Sequence, residues 1–467
     1  MDVNETFRSL NVGLPEDILR RKIYGDFDRA VRLIDGRLAQ EGVPQGLRDC
    51  MTAQREMMLR TPPDYPFTRE QALARVRSYI PDFSEEEFDQ RVDAGKIGWI
   101  YLQGQPHYFA RFFETMCKAE PSFARRANFQ MHGVESVAGV SGKEDRLERC
   151  TRLMRERGQV SNRIQIRAAL RLKDEHFIPG MFLRAHLPIP AACEQQRDII
   201  IEKITPASGR IDPEDALQRT VCWEGEWEEN PEFSVTYSYV HTARFHDLSQ
   251  PGLGIQTPAS EEELAQCLKE EPPHIVFTPY LRDLARELTA GKEDTLEKAR
   301  SIFDFITLNM KYTFMPAYFG LENIAENCAR SFTGDCGVFA LLFITLCRCA
   351  GIPAQWQSGL TAEPDFCGGH DWARFYVLEY GWLYADPSYG TAAVRADKEE
   401  RRKFYFGNLD PYRMVANRRF QAPFIVEKVH WRADPYDNQV GELETADRGL
   451  RYEEFDRSKA VLLHEEV

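Results

Sequence analysis

The chain has 467 residues, of which 43% are hydrophobic and 28% are charged, and its formal net charge at pH 7 is -14. These values are typical of a globular protein with two to four domains of about 100–200 residues each. The excess of acidic residues repels phosphate backbones, which argues against nucleic acid as a general partner.

The compartment can be predicted from the cysteines and from the distribution of apolar residues. The first residues do not place a basic stretch before an apolar run, so we expect no signal peptide. No run of about 18 apolar residues predicts a membrane span. The eleven cysteines lack a disulfide-like spacing, and most are expected to be reduced thiols. We therefore expect a cytoplasmic protein without a membrane partner.

Residues 1–158 have the apolar spacing of helices. Two helix starts are predicted by capping boxes, in which a side chain at each of two positions satisfies a free backbone donor. Thr68 with Gln71 forms one box, and Ser84 with Glu87 forms the other. We predict an N-terminal helical domain over this range.

After about residue 160 the pattern changes to short runs rich in β-branched and aromatic residues, separated by turn residues. Runs of this kind are typical of a small antiparallel β-sandwich, which we predict over residues 159–250. The Pro-, Gly- and Ser-containing stretch 248–263 indicates a linker.

Helical patterns return at Thr278–Leu288 and Thr295–Met310 and are followed by a long apolar helix and then by strands. We predict a core domain over residues 251–435 and an α+β fold for the chain as a whole. The last stretch, residues 436–467, is polar and acidic, and we predict a surface extension there.

Cys336 stands at the start of the apolar run Val338–Ala350. Asp335 before it fits an N-cap, and Gly351 and Pro353 after it are typical of a helix end. Because apolar residues surround this helix, we expect it to be buried. The positive end of a helix favours the thiolate, which is the nucleophilic form of cysteine. A small core residue is the alternative interpretation.

His370 precedes a predicted strand, and Asp386 ends the next one, so a hairpin carries an imidazole and a carboxylate. In such a pair His370 can act as the base that takes the thiol proton, and the Asp386 carboxylate can hold the imidazole in one tautomer. A strict two-residue turn would place Asp386 opposite Phe375, which lies about 16 Å along the strand from His370 at ~3.3 Å per residue. Only a longer loop, a bulge or strong twist would bring the two side chains together.

Three boxes resemble the transglutaminase-like superfamily. The segment around Gly334-Asp335-Cys336, with the run Arg348–Ala354 after it, resembles the cysteine box of that family; His370-Asp371-Trp372 resembles its histidine box, and the segment ending at Asp386 resembles its aspartate box. The resemblance covers about residues 270–410. It implies a papain-like core, in which a central helix packs on an antiparallel sheet, and a Cys336–His370–Asp386 triad.

The resemblance also implies an oxyanion hole that combines the backbone N–H of Cys336 with a second donor from upstream. The candidates for that donor are Asn309, Tyr312 and Tyr318.

Aromatic residues near the boxes are candidates for a substrate groove or for the core. They are Phe319, Trp356 and Trp372, together with Tyr318. Cys367 and His370 form a C-x-x-H pattern, but Cys347 and Cys349 lie on different faces of one helix, so no metal site and no cofactor are predicted.

The resemblance to this superfamily leaves three functions open. The first is a thiol hydrolase that cleaves a peptide, protein or other amide through a thioester acyl-enzyme. The second is a protein-glutamine acyltransferase, in which an amine rather than water resolves the thioester. The third is a non-catalytic binding scaffold with the same fold.

Overall fold

The computed structural model describes residues 3–131, 145–250 and 259–467. Residues 132–144 of the predicted helical domain and 251–258 of the predicted linker therefore lie outside the described residues. The predicted α+β class is confirmed, because helices alternate in the described ranges with mainly antiparallel sheets. None of the helices in these ranges is long and apolar enough to cross a bilayer.

The α-helices and β-strands of the described ranges have the following bounds. The helices are α1 (Glu16–Ile23), α2 (Phe27–Leu38), α3 (Gln45–Arg60), α4 (Arg69–Arg77), α5 (Glu85–Asp93), α6 (Phe112–Ala119), α7 (Pro121–Arg126), α8 (Arg146–Arg157), α9 (Glu261–Gln266), α10 (Pro279–Leu288), α11 (Thr295–Asn309), α12 (Ile324–Ser331), α13 (Cys336–Cys349), α14 (Pro387–Arg395) and α15 (Glu399–Phe404). The strands are β1 (Trp99–Leu102), β2 (Gln105–Tyr108), β3 (Gln159–Leu172), β4 (Met181–Pro188), β5 (Gln196–Thr205), β6 (Arg210–Ile211), β7 (Thr220–Trp227), β8 (Glu232–Arg244), β9 (Lys311–Tyr312), β10 (Thr333–Gly334), β11 (Ala354–Glu363), β12 (Phe366–Val377), β13 (Gly381–Ala385), β14 (Phe406–Gly407), β15 (Arg413–Asn417), β16 (Glu442–Thr445) and β17 (Phe455–Glu466).

Both predicted capping boxes are present at the starts of α4 and α5. The Thr68 hydroxyl accepts a hydrogen bond from the Gln71 backbone N–H at 3.3 Å, and the Ser84 hydroxyl accepts one from the Glu87 N–H at 3.0 Å. The side chain of each third residue returns the bond. The two helices share a buried core with α6 and with the β1–β2 hairpin, and Phe314 from the core domain packs against it.

Two four-stranded sheets enclose one apolar core and form a β-sandwich. The strand order is β17–β3–β8–β5 in one sheet and β16–β4–β7–β6 in the other. Alternation along β3 places Ile164 and Ile166 in the core, while Arg163 and Gln165 face outward. The short alternating runs of the sequence therefore form the sandwich for which they are typical.

The C-terminal segment completes this sandwich, so the prediction of a surface extension over residues 436–467 is wrong. β16 pairs with β4, and β17 pairs with β3 from Phe455 to Glu466. Phe455 reaches the core, whereas most of the other β17 side chains stay exposed. A strand at the edge of a sheet tolerates this polar composition, which is why the composition alone suggested an extension.

The core domain consists of a five-stranded antiparallel sheet that packs against α13. The strand order is β14–β13–β12–β11–β15. Every residue of α13 from Gly337 to Arg348 is buried, as its apolar composition on all sides predicts. Leu360 of β11 and Met414 of β15 also belong to the sandwich core, so the sheet joins the two parts of the chain.

The β12–β13 hairpin has a three-residue turn, from Leu378 to Tyr380, rather than a two-residue turn. Ala385 pairs with Ala373, and Asp386 therefore falls one position further, opposite Trp372. The longer loop that the sequence left open is confirmed, and it shortens the distance that the two side chains must bridge.

Candidate active site

Cys336 is the first residue of α13, and Asp335 is the N-cap, as predicted. The Asp335 side chain accepts a hydrogen bond from the Val338 backbone N–H at 3.3 Å. The next residue is a glycine for steric reasons, because a Cβ at Gly337 would lie 2.5 Å from the Tyr318 hydroxyl oxygen and 2.8 Å from an Asp371 carboxyl oxygen. Cys336 is partly exposed, so its sulfur lies at the edge of the buried core.

The hydrogen-bond partner of the thiol is Asp371. The distance from Cys336 Sγ to Asp371 Oδ2 is 3.2 Å. Burial raises the pKa of Cys336 well above its usual value, and the negative charges of Asp371 and Asp335 raise it further. The thiol is therefore protonated at neutral pH in this arrangement. The effect of the helix terminus, which favours the thiolate, is outweighed here by burial and by two neighbouring carboxyl groups.

Asp371 belongs to a buried polar network that reaches the C-terminal part of the chain. Gln439 Nε2 donates to Asp371 Oδ1 and also to Asp437 Oδ2, which in addition accepts from Ser358 Oγ. Burial raises the pKa of Asp371 well above its usual value, and Asp437 and Asp335 add to this rise. Several carboxyl groups cannot all ionise at such short range in a dry environment. Asp371 consequently retains a proton more readily than an exposed aspartate.

His370 and Asp386 are in direct contact, as the resemblance to the histidine and aspartate boxes implied. His370 Nε2 lies 2.7 Å from Asp386 Oδ2, and both side chains are buried. The backbone N–H of Tyr389 donates to the other carboxylate oxygen at 2.9 Å. Arg413 Nη1, which is also fully buried, donates to Asp386 Oδ2 at 2.8 Å.

The charge state of Asp386 follows from these contacts. Burial acts to raise its pKa, but the charges of His370 and Arg413, together with the hydrogen bonds from His370 and Tyr389, lower the pKa to about 2. Asp386 is therefore an anion across the physiological range. It can hold the imidazole in one orientation and stabilise an imidazolium.

The thiol and the imidazole are not joined by a hydrogen bond among the described residues. Neighbouring residues of a strand project to opposite faces of the sheet, and Cys336 contacts Asp371 rather than the adjacent His370. Since Nε2 of His370 is occupied by Asp386, Nδ1 is the ring nitrogen left to receive a thiol proton. Of the three predicted residues, His370 and Asp386 are in contact with each other. The sulfur of Cys336 lies beside the same strand as His370, but it contacts Asp371.

The three candidate oxyanion donors lie in different environments. The Tyr318 hydroxyl accepts a hydrogen bond from the Val338 N–H at 3.1 Å and donates to Asp335, so it lies beside the helix terminus. The Tyr312 ring lies 6.4 Å from that of Phe339 in the first turn of α13, centroid to centroid. Asn309 is exposed and donates to a carbonyl oxygen of its own helix, which disfavours it as a donor.

Of the two interpretations of Phe319, Trp356 and Trp372, groove lining or core, the burial of their rings agrees with the core. Phe319, Trp356 and Trp372 are each at most 1% exposed and belong to apolar clusters. Their proximity to the boxes in the sequence reflects packing around α13 and the sheet. A large aromatic side chain is apolar whether it lines a groove or packs in the core, so its residue type alone does not distinguish the two locations.

Sequence reasoning missed two residues of the site. Asp371 stands at the middle position of the histidine box, where a carboxyl group was a visible signal. Arg413 lies 27 positions after Asp386 in a different strand, and no local pattern indicated its contact.

A separate cavity of about 400 Å³ lies between β8 and β13, and its lining includes His241, His246 and Tyr384. It contains none of the three predicted catalytic residues.

Comparison with known proteins identifies the segment that carries these residues. The model of the family described as the transglutaminase-like superfamily matches residues 282–387, a range that includes Cys336, His370 and Asp386. The uncharacterised protein YebA of Bacillus subtilis strain 168 is 26% identical over 129 residues, which are 24% of this chain. The chain covers 17% of the length of that curated relative.

Some solved structures are also similar to this chain, at low sequence identity. A candidate cysteine protease from Cytophaga hutchinsonii is 16% identical with a TM-score of 0.42, covering 65% of this chain and 91% of that one. The periplasmic domain of TgpA from Pseudomonas aeruginosa is 13% identical with a TM-score of 0.29, covering 54% and 94% respectively. The assignment depends on the family model and on the three boxes: residues 282–387 of this chain form a transglutaminase-like domain.

Proposed function

We propose that this chain is a thiol-dependent hydrolase that cleaves a peptide or another amide bond. Cys336 is the nucleophile, His370 the general base and acid, and Asp386 the group that orients the imidazole. The observation that carries the proposal is the buried 2.7 Å contact between His370 and Asp386 on the sheet that packs against the Cys336 helix. An isolated structural histidine does not need a fully buried carboxylate held ionised by a second cation.

The contact between Cys336 and Asp371 defines a resting form of this site. Its thiol is protonated and turned toward Asp371. A cysteine side chain has one torsion angle, χ1, and a change of rotamer moves the sulfur without moving the backbone. Since His370 and Asp371 project to opposite faces of β12, turnover also requires the His370 imidazole to reach the face that carries the sulfur, where Nδ1 then accepts the thiol proton.

The chemical steps follow from these roles. The thiolate attacks the amide carbonyl carbon, and the carbonyl oxygen becomes an oxyanion that the backbone N–H of Cys336 can stabilise. His370 gives its proton to the leaving amine as the C–N bond breaks, which leaves a thioester on Cys336. Water, deprotonated by His370, then attacks the thioester and releases the acid and the free thiol.

The test is amide hydrolysis with a variant of the nucleophile. Purified protein is incubated with a pool of internally quenched peptides, and fluorescence is followed over time. We expect Cys336→Ala to abolish turnover and to leave the melting temperature within a few degrees, because the residue lies at the rim of the core. The matched control is Cys349→Ala at the other end of α13, which should retain activity. Equal turnover by the wild type and Cys336→Ala would rule the proposal out.

The bond between Cys336 and Asp371 is also the observation that favours a non-catalytic scaffold, because it holds the sulfur in its unreactive form. Absence of turnover in the wild type, combined with iodoacetamide reactivity no higher than that of free cysteine, would support that alternative. Acyl transfer differs from hydrolysis in the fate of the thioester. A labelled primary amine in excess would enter the product in the transferase and stay out of it in the hydrolase.

The cytoplasmic location belongs to this proposal as well, on the basis of the eleven cysteines, which are all free thiols in the described residues. Cell fractionation with an antibody to the chain would test it.

A further inference from the structure

The N-terminal helices bring two cations to the rings of Tyr312 and Phe314, in and beside the strand that pairs with the residues just before Cys336. Lys118 lies at the end of α6, and its Nζ is 3.8 Å from the centroid of the Tyr312 ring. Arg111, the residue before α6, has its Cζ 3.5 Å from the centroid of the Phe314 ring. A cation over an aromatic face is held there by the quadrupole of the ring, so both charges have defined positions.

These two rings belong to the segment that adjoins the nucleophile. Tyr312 of β9 pairs with Gly334 of β10, which precedes Cys336 by two positions. Phe314 is tied to α6 itself, because its backbone N–H donates to Thr115 Oγ1 at 3.2 Å. The cations are therefore fixed relative to the mouth of α13 and do not depend on a loose surface loop.

Electrostatic interactions connect the same groups. Burial lowers the pKa of Lys118 to about 8, Cys336 and Asp335 act to raise it, and Arg395 and Arg111 act to lower it. Lys118 is thus a cation at pH 7, and no carboxylate forms an ion pair with it in the part of the chain that the structure describes. Asp335 is the carboxyl group whose charge acts on Lys118.

We infer that the substrate carries an anionic group, such as a carboxylate, next to the amide that Cys336 attacks, and that Lys118 and Arg111 bind this group. The inference depends on the proposed function, because it names the substrate class of that same site. It is also unexpected from the composition, since a chain with a net charge of -14 repels anions at long range. A local cluster of cations can offset this repulsion and bind an anionic group of the substrate.

The test compares two reagents that alkylate the same thiolate, anionic iodoacetate and neutral iodoacetamide. Because both react with the thiolate, the ratio of their rates at Cys336 does not depend on the thiol pKa and reports the local charge. At pH 7 we expect this ratio to exceed that of N-acetylcysteine amide by about fivefold or more, as expected for a unit charge at short range in a partly dry site. Lys118→Gln and Arg111→Gln should each lower the ratio severalfold, and Lys118→Arg should preserve it.

Controls separate this inference from the proposed function. Lys203→Gln removes an exposed cation of the sandwich and should leave the ratio unchanged. A ratio equal to that of the small thiol, or one unaffected by Lys118→Gln and Arg111→Gln, would overturn the inference. Two peptide pools that differ only by Glu or Gln beside the scissile bond supply the second measurement.

Preferential cleavage of the Glu pool supports the anionic substrate, and equal cleavage of both pools contradicts it. Cleavage of neither pool counts against the proposed function alone, and the alkylation ratio then decides whether the anion-binding cluster exists.

Discussion

Substitution of Asp371 by asparagine should make Cys336 more reactive. The variant keeps the shape of the side chain, but it removes a carboxyl group whose oxygen lies 3.2 Å from the sulfur. At that distance, and with an effective dielectric constant near 20, two unit charges repel each other by about 5 kcal/mol, which is an upper limit. Because burial also raises the pKa of Asp371, this carboxyl group carries less than its full charge, and only part of this repulsion operates. We expect the pKa of Cys336 to fall by about 1–2 units, equivalent to about 1.4–2.7 kcal/mol.

The change in rate follows from this fall in pKa. At pH 7 the thiolate fraction rises about tenfold per unit, while the intrinsic nucleophilicity falls by about threefold per unit. The rate of alkylation by iodoacetamide should therefore rise by about three- to tenfold. Mass spectrometry of the Cys336 peptide between pH 6 and pH 10 measures both the rate and the pKa.

Glu379→Gln serves as the control, because it removes an exposed charge from the turn of the same hairpin. A pKa of Cys336 that stays constant or rises in Asp371→Asn would refute this account of the resting thiol.

Two further predictions concern the buried charges beside His370. The lowered pKa of Asp386, about 2, stabilises the folded state above about pH 4, and this contribution of about 2 kcal/mol should disappear as the pH falls from 4 toward 2. In urea titrations the stability difference between the wild type and Asp386→Asn should narrow over that window, and a constant difference would contradict the assignment. Arg413→Met leaves buried carboxylates without their cation and should lower the free energy of unfolding by about 3–5 kcal/mol. The partly exposed Arg163→Met should change the free energy of unfolding by less than about 0.5 kcal/mol, and similar losses in both variants would disprove the special role of Arg413.

Helices such as α13 could be predicted from the sequence because their caps and apolar runs lie within the helix or next to it. α13 is bounded by the Asp335 cap and by Gly351, and the apolar run between them indicates burial without any knowledge of its neighbours. The contact between His370 and Asp386 was expected from the resemblance to the transglutaminase-like boxes, whereas the strand pattern alone left open the turn length that allows it. These features depend on residues that are close together in the chain.

Asp371 could not be predicted as the partner of the Cys336 thiol, because the hydrogen-bond network that holds Asp371 joins segments far apart in the sequence. Ser358 comes from β11, whereas Asp437 and Gln439 come from a segment just before β16. The pKa of Asp371 depends on that arrangement, and so does the protonation of Cys336. β17 was missed for a related reason: its single core residue, Phe455, does not create an alternating pattern strong enough to offset a charged outer face.

The pairing of β16 and β17 with β4 and β3 makes the transglutaminase-like domain an insertion within the sandwich. During synthesis the first strands of the sandwich leave the ribosome long before the strands that complete its two sheets. Until then β3 and β4 present open edges on which other chains can assemble. The nascent protein must therefore protect six of the eight strands of the sandwich while the inserted domain folds, and removal of the chain after β8 would leave β3 and β4 with the same exposed edges.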